Sequence, residues 1–288
     1  MKKRRIVPYL FILPAILLVA VFFYYAIIYA FYYSLTDYQF GYKANFIGLE
    51  NYLHFFRDPV MIQSLLNQMV ITVWSIVSSI LFPLVAAELL FFIRSERIGE
   101  ALKKMFVFPM LVPGLVTMLI WKYMYNVNFG FNTMLDLVGL HNLTHDWMNE
   151  SSTAMVSLLF IGFPYVSGLF FLMFHAGLNA IGKELHDSVV IDGCNSLQIV
   201  RYLHIPALRP YFYVTAVLST IGSFQNYGMI LATTRGGPGY DTLTPSLHMY
   251  NVSFSSYGSM GYGCAIGVII FLFILALSIL GRKLTVEE

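Results

Sequence analysis

Apolar residues run along this chain in six long stretches separated by polar segments: Pro8–Tyr33, Leu65–Ile93, Met105–Tyr125, Ala154–Phe174, Tyr211–Ala232 and Tyr262–Leu280. Each holds between 19 and 29 residues, and a helix needs roughly 20 to cross a hydrocarbon core about 30 Å thick. Lipid offers backbone N–H and C=O groups no partner, so a crossing segment must satisfy them within itself. The pattern therefore predicts an all-α integral membrane protein with six transmembrane helices. The first stretch follows Lys2, Lys3, Arg4 and Arg5, as the apolar part of a signal peptide would. Its 26 residues exceed the roughly 7–15 of such a region, and it reads as a retained anchor.

Composition agrees with that picture. Of 288 residues, 58% are hydrophobic and 11% charged, where a soluble domain carries roughly a quarter charged. Mean hydropathy is +0.70. A net charge of +2 gives no reason to expect nucleic acid as a partner. Cys194 and Cys264 lie far apart, and their spacing suggests neither a disulfide framework nor a metal site.

Where the cations stand matters more than their sum. Thirteen of the 17 Lys and Arg fall in the N-terminus, the loops after the second and fourth stretches, and the C-terminus. The other side holds Lys43, Arg57 and Arg235, while Lys122 sits at the end of the third stretch. The positive-inside rule then puts both termini in the cytoplasm, as an even number of spans requires. The expected location is a bacterial cytoplasmic (inner) membrane, crossed several times. Within the spans, Glu88 stands five residues from the cytoplasmic end of its helix, a depth that favours an interfacial or helix-contact role over an ion path.

Several motifs carry less than their spacing suggests. Gly177-x4-Gly182-Lys183 has P-loop spacing, but Glu184 stands where a magnesium-binding Ser or Thr belongs, and a membrane span precedes it in place of a strand. His141 and His145 are four apart, like helical metal ligands, yet their surroundings of Asn142, Thr144 and Asp146 read as a solvated outer loop.

The segment Gly177–Pro210 is more specific. A first short helix is expected over Lys183–Ile191, then a turn at Asp192-Gly193, glycine tolerating the left-handed conformation. Asn195 or Ser196 can cap a second helix, with Leu197, Val200 and Leu203 as its apolar face. Pro206 and Pro210 are expected to stop it before the next span. This segment resembles the cytoplasmic coupling loop of ABC importer permeases, with Asp192, Gly193, Leu203, Pro206, Leu208 and Pro210 at the family's spacing. It departs from the family's Glu-Ala-Ala at Asp187-Ser188-Val189, and has Cys194 for the usual alanine and Gly182 for the usual upstream proline. Phe46–Tyr52, Gly162–Tyr165 and Thr234–Pro238 resemble stretches of the carbohydrate branch of these permeases, which includes maltose and glycerol-3-phosphate importers.

The resemblance implies a permease subunit forming half of the path for a mono- or oligosaccharide, or a related polyol or sugar phosphate. Its implied partners are a second permease, identical or homologous, two cytoplasmic ATPases and an extracytoplasmic binding protein. ATP and Mg would bind on the ATPase, with no cofactor and no chemistry in this chain. Glu184, Asp187, Asp192, Gly193, Leu203 and Pro206 become the ATPase-coupling candidates. The implied division is a first helix with its outer loop over 1–64 and a permease core over 65–288. Gly162, Tyr165, Ser219, Ser223 and Asn226 reach a similar depth at 1.5 Å per residue, and the resemblance makes them sugar-path candidates. Small and polar residues also serve helix packing. The residues alone leave open a secondary transporter, or a scaffold or membrane enzyme. Against these stand the lack of mid-membrane coupling carboxylates and of any nucleophile–base cluster.

Overall fold

The apolar stretches do become helices, but half of them are broken. In the computed structural model, residues 7–255 and 258–286 are described. The helices are α1 (Val7–Val19), α2 (Tyr25–Tyr33), α3 (Glu50–Arg57), α4 (Pro59–Phe92), α5 (Glu96–Val107), α6 (Gly114–Met124), α7 (Phe131–Leu137), α8 (Ala154–Phe160), α9 (Gly168–Asn179), α10 (Lys183–Ile191), α11 (Ser196–Ile199), α12 (Ile205–Ala207), α13 (Arg209–Gln225), α14 (Tyr227–Ala232), α15 (Pro245–Phe254) and α16 (Met260–Val286). Among the described residues, β structure is limited to isolated bridges between Thr36 and Phe46 and between Gln39 and Ser259. The four N-terminal cations lie outside the described residues.

Three helical runs are long and apolar enough to cross a membrane unbroken: Tyr9–Tyr33, Pro59–Phe92 and Met260–Ile279. The first joins α1 to α2 through a π turn at Ala20–Tyr24. The other three stretches are interrupted, which corrects the expectation of continuous helices there. In the third, α5 and α6 meet at 90°. Pro109 and Pro113 flank that corner, each lacking the N–H that an α-helix would use. The fourth breaks over residues 161–167, between α8 and α9, around Pro164. The fifth breaks at Asn226, whose backbone (φ −88°, ψ 53°) is not helical and whose side chain accepts from the Met229 N–H to cap α14.

The chain divides into two units, Met1–Ile62 with His248–Phe273 and Gln63–Leu247 with Ile274–Glu288. In the first, Asn51 of α3 donates to the Ser34 and Thr36 carbonyls at 2.9 and 2.8 Å. Asp58 caps the start of α4 through the Val60 N–H and also accepts from His248 Nε2 and the Tyr262 hydroxyl, at 2.9, 3.1 and 2.9 Å. Burial favours the neutral carboxyl, but these hydrogen bonds outweigh it and hold Asp58 below the usual carboxylate range. In the second unit, Ala86, Ala87 and Leu90 of α4 pack on Phe171, Phe174 and Leu178 of α9 and on Leu208. The two alanines leave room for the phenylalanines, and all seven side chains are buried.

Candidate functional site

The three helix breaks meet at one cavity of about 840 Å³ within the second unit. Its walls include Pro109 and Met110 from the corner between α5 and α6, all of 161–167, and Ser219, Ser223 and Asn226 at the end of α13. All five sugar-path candidates line it. They do so by a route the helical count did not foresee. Gly162 (φ +93°) and Tyr165 (φ +58°) stand in left-handed turns, not on a helix face. Glycine adopts that conformation without penalty, while a side chain with a Cβ pays for it.

A broken helix leaves carbonyls without their usual partners, and those of α8 show where they go. Leu159 O accepts from the Tyr165 hydroxyl at 2.6 Å and from Trp74 Nε1 at 3.0 Å. Tyr165 therefore shapes the break, and its ring packs edge-on to Trp74 and against Phe82. Ser223 Oγ donates to the Thr220 carbonyl at 2.8 Å and lies 2.9 Å from Thr72 Oγ1, which ties α13 to α4. Ser219 is 5% exposed, and its hydroxyl has no hydrogen-bond partner. Asn226 is exposed on the cavity rim.

Sequence reasoning missed the wall that α4 contributes. Trp74, Ser75, Ser78 and Ser79 all line the cavity. Ser75, Ser78 and Ser79 are at i, i+3 and i+4, a polar stripe inside an apolar helix, and that spacing puts them on one face. Thr117 and Trp121 of α6 complete the set.

The second region of interest is the helix pair. The turn is as expected: Asp192 ends α10, Gly193 has φ +81°, and Cys194 N–H reaches back to Val189 O at 3.1 Å. Asn195 caps α11 in a reciprocal arrangement with Gln198. Glu184 stands in the first turn of α10, where a negative charge complements the helix dipole. It is exposed, as are Asp187, Asp192 and Gly193.

Two details differ from expectation. Pro206 does not stop the helix, because Val200–His204 forms a π turn ahead of it and so accommodates its missing N–H. The run ends at Leu208, and Pro210 opens α13 in its first turn. The expected apolar face also changes. Leu203 is buried with Ile199, while Leu197 is 82% exposed. Buried beside Leu203 is His204, whose Nδ1 lies 2.9 Å from a Glu88 carboxylate oxygen. Glu88 is thus a helix contact, and it binds α4 to the helix pair. In the segment between α7 and α8, His141 and His145 pair with Asp136 and Glu150 at 2.7 and 2.9 Å.

A family model described as the binding-protein-dependent transport system inner membrane component matches residues 79–286. The chain belongs to this family. Its members are components of the inner membrane, and the apolar helices fit that location. A probable ABC transporter permease protein, YurN of Bacillus subtilis, is 29% identical over 98% of this chain and 96% of its own length. The arabinooligosaccharides transport system permease protein AraP of the same species is 28% identical over 98% and 90%. The trehalose/maltose transport system permease protein MalF of Thermococcus litoralis is 28% identical over 96% and 92%. The fold is similar to a bacterial alginate ABC transporter chain, solved in complex with a pentasaccharide-bound periplasmic protein, with TM-score 0.87 at 16% identity over 99% and 96% of the two chains.

Proposed function

We propose that this family member is the permease subunit of an ATP-driven sugar importer and that the 840 Å³ cavity is its half of the sugar path. The observation that carries the reading is the convergence of three broken spans on one space, lined by indole rings and hydroxyls. Non-helical backbone at membrane depth is tolerated where it is enclosed by protein or lines a cavity. Aromatic faces stack on sugar C–H surfaces, and Ser219, Ser223 and Asn226 offer hydrogen bonds to sugar hydroxyls. The sugar substrates in the names of AraP and MalF support the substrate class.

In this reading the chain crosses the membrane six times, with the third, fourth and fifth spans broken, and both termini are cytoplasmic. The Gly177–Pro210 segment couples to a separate ATPase, which holds the ATP and Mg. Ile191 and Leu197 flank its turn and are 84% and 82% exposed, an apolar patch of the kind that partners cover. A second permease completes the path, two ATPases grip the two coupling segments, and a binding protein delivers the sugar. ATP-driven closure moves the helix pair, and the cavity alternates between the two sides.

The test is uptake of labelled sugar by the complete importer in proteoliposomes, carrying Ser219→Ala or Asn226→Ala. Uptake is expected to fall in both while ATPase assembly is kept. Wild-type uptake in both variants across a range of sugar concentrations would place the sugar elsewhere.

A further inference from the structure

The cavity walls carry a second message, in their charge. Among the described residues that line the cavity there is no Asp, Glu, Lys, Arg or His. Its polar side-chain atoms are neutral: Ser, Thr and Tyr hydroxyls, the Asn226 amide and two indole N–H groups, of which Trp74 Nε1 already donates to Leu159 O. Lys122 follows the lining residue Trp121 in sequence, but its Nζ donates to the Ala232 carbonyl at 3.1 Å.

The backbone brings partial charges of both signs. A helix terminus carries a partial charge of about half a unit, positive at the N-terminal end and negative at the C-terminal end. Each break joins the C-terminal end of one helix to the N-terminal end of the next: α5 to α6, α8 to α9 and α13 to α14. The donors left over are neutral, and Ser219 Oγ among them is buried without a partner. Neutral hydroxyls can replace the water around sugar hydroxyls. They compensate poorly for the water around a phosphate or carboxylate, whose desolvation is costly without a countercharge or a dense set of donors.

We infer that this chain's half of the path is built for an uncharged carbohydrate and selects against sugar phosphates and uronic acids. The inference rests on the cavity being the sugar path and narrows the substrate class that the sequence left open.

The test reads the charge of the cavity in the assembled importer, independently of what the binding protein selects. Ser75→Cys is introduced with Cys194→Ser and Cys264→Ser, and the thiol is reacted with cationic and anionic methanethiosulfonates. The ratio of the two rates is expected to match that of a free thiol within about three-fold, since a charged cleft shifts local ion concentrations ten-fold or more. In parallel, uptake is measured for labelled neutral di- and trisaccharides and for the 6-phosphate and uronic-acid forms of the same sugars. Neutral forms are expected to lead by about ten-fold or more. A ten-fold preference for the anionic reagent, or uptake favouring the anionic sugars, would overturn the inference while leaving the sugar path standing. If no sugar of either class is taken up or protects the introduced thiol, the sugar-path reading itself fails, and the reagent ratio still decides the cavity's charge.

Discussion

His204 Nδ1 lies 2.9 Å from one Glu88 carboxylate oxygen and 3.1 Å from the other. The two residues are 116 positions apart in sequence, one in the helix pair and one in α4, the helix that supplies Trp74 and the serine stripe to the cavity wall. His204 is fully buried, so the contact cannot be exchanged for water without moving a helix. The coupling proposed above routes a motion of the helix pair to α4 through this contact. Replacing Glu88 by Ala leaves a buried donor unsatisfied, at a cost of about 1–3 kcal/mol. Glu88→Ala and His204→Ala are expected to be non-additive in thermal unfolding, and each should lower sugar imported per ATP hydrolysed. Strict additivity, with unchanged coupling, would show that the two side chains are merely neighbours.

Gly193 has φ +81°, and a Cβ placed there meets nothing within 4 Å. The position is therefore conformationally demanding but sterically open. Gly193→Val should carry a backbone penalty of roughly 1–2 kcal/mol and reduce ATPase stimulation by the loaded binding protein. Gly193→Asn should retain more of that stimulation, because asparagine enters the left-handed region more readily. Equal loss in both variants would mean that the glycine is required for close contact with a partner, not for its turn.

The hydrogen bonds at Asp58 set a pH dependence. They depress the folded-state carboxyl below its usual value near 3.8. The stabilisation they give is present above that value and lost as pH falls through the lowered one. In detergent, the gap in melting temperature between wild type and Asp58→Asn should be wide near neutrality and shrink below about pH 4. A gap that stays constant down to about pH 3 would contradict the ionised-acceptor account.

Orientation can be read by labelling. Ser196 and Asn142 are exposed and stand in the helix pair and in the segment between α7 and α8. Single cysteines at these positions, with Cys194 and Cys264 removed, are treated with an impermeant maleimide on intact cells. Labelling at 142 and protection at 196 are expected. The reverse pattern would invert the topology drawn from the Lys and Arg count.

How much of this was legible in the sequence depends on what sets each feature. The six stretches were, because lipid imposes hydropathy on every exposed turn, and the turn at Asp192-Gly193 was, because few other residues fit it. Two of the breaks were written at Pro109, Pro113 and Pro164, but runs of apolar residues continue across them and mask them. Tyr165 was found for its ring and hydroxyl, while its actual bond to Leu159 O depends on a left-handed backbone that no periodicity shows. Leu197 was assigned to the wrong face because the run beyond Ile199 is a π turn, which shifts the register of a 3.6-residue pattern. The α4 serine stripe was visible at i, i+3 and i+4. Its importance appeared only once α4 was seen to face the broken spans.

The central claim, that sugar passes through the space where the third, fourth and fifth spans break, is tested most directly by photo-crosslinking during turnover. A photoreactive analogue of the imported sugar is delivered by the binding protein to the complete importer, and the adducts are mapped by mass spectrometry. The account predicts adducts on this chain within 161–167 and 219–226, and on Trp74 or the neighbouring serines of α4. Adducts confined to the second permease, or to surfaces of this chain outside the cavity, would contradict it.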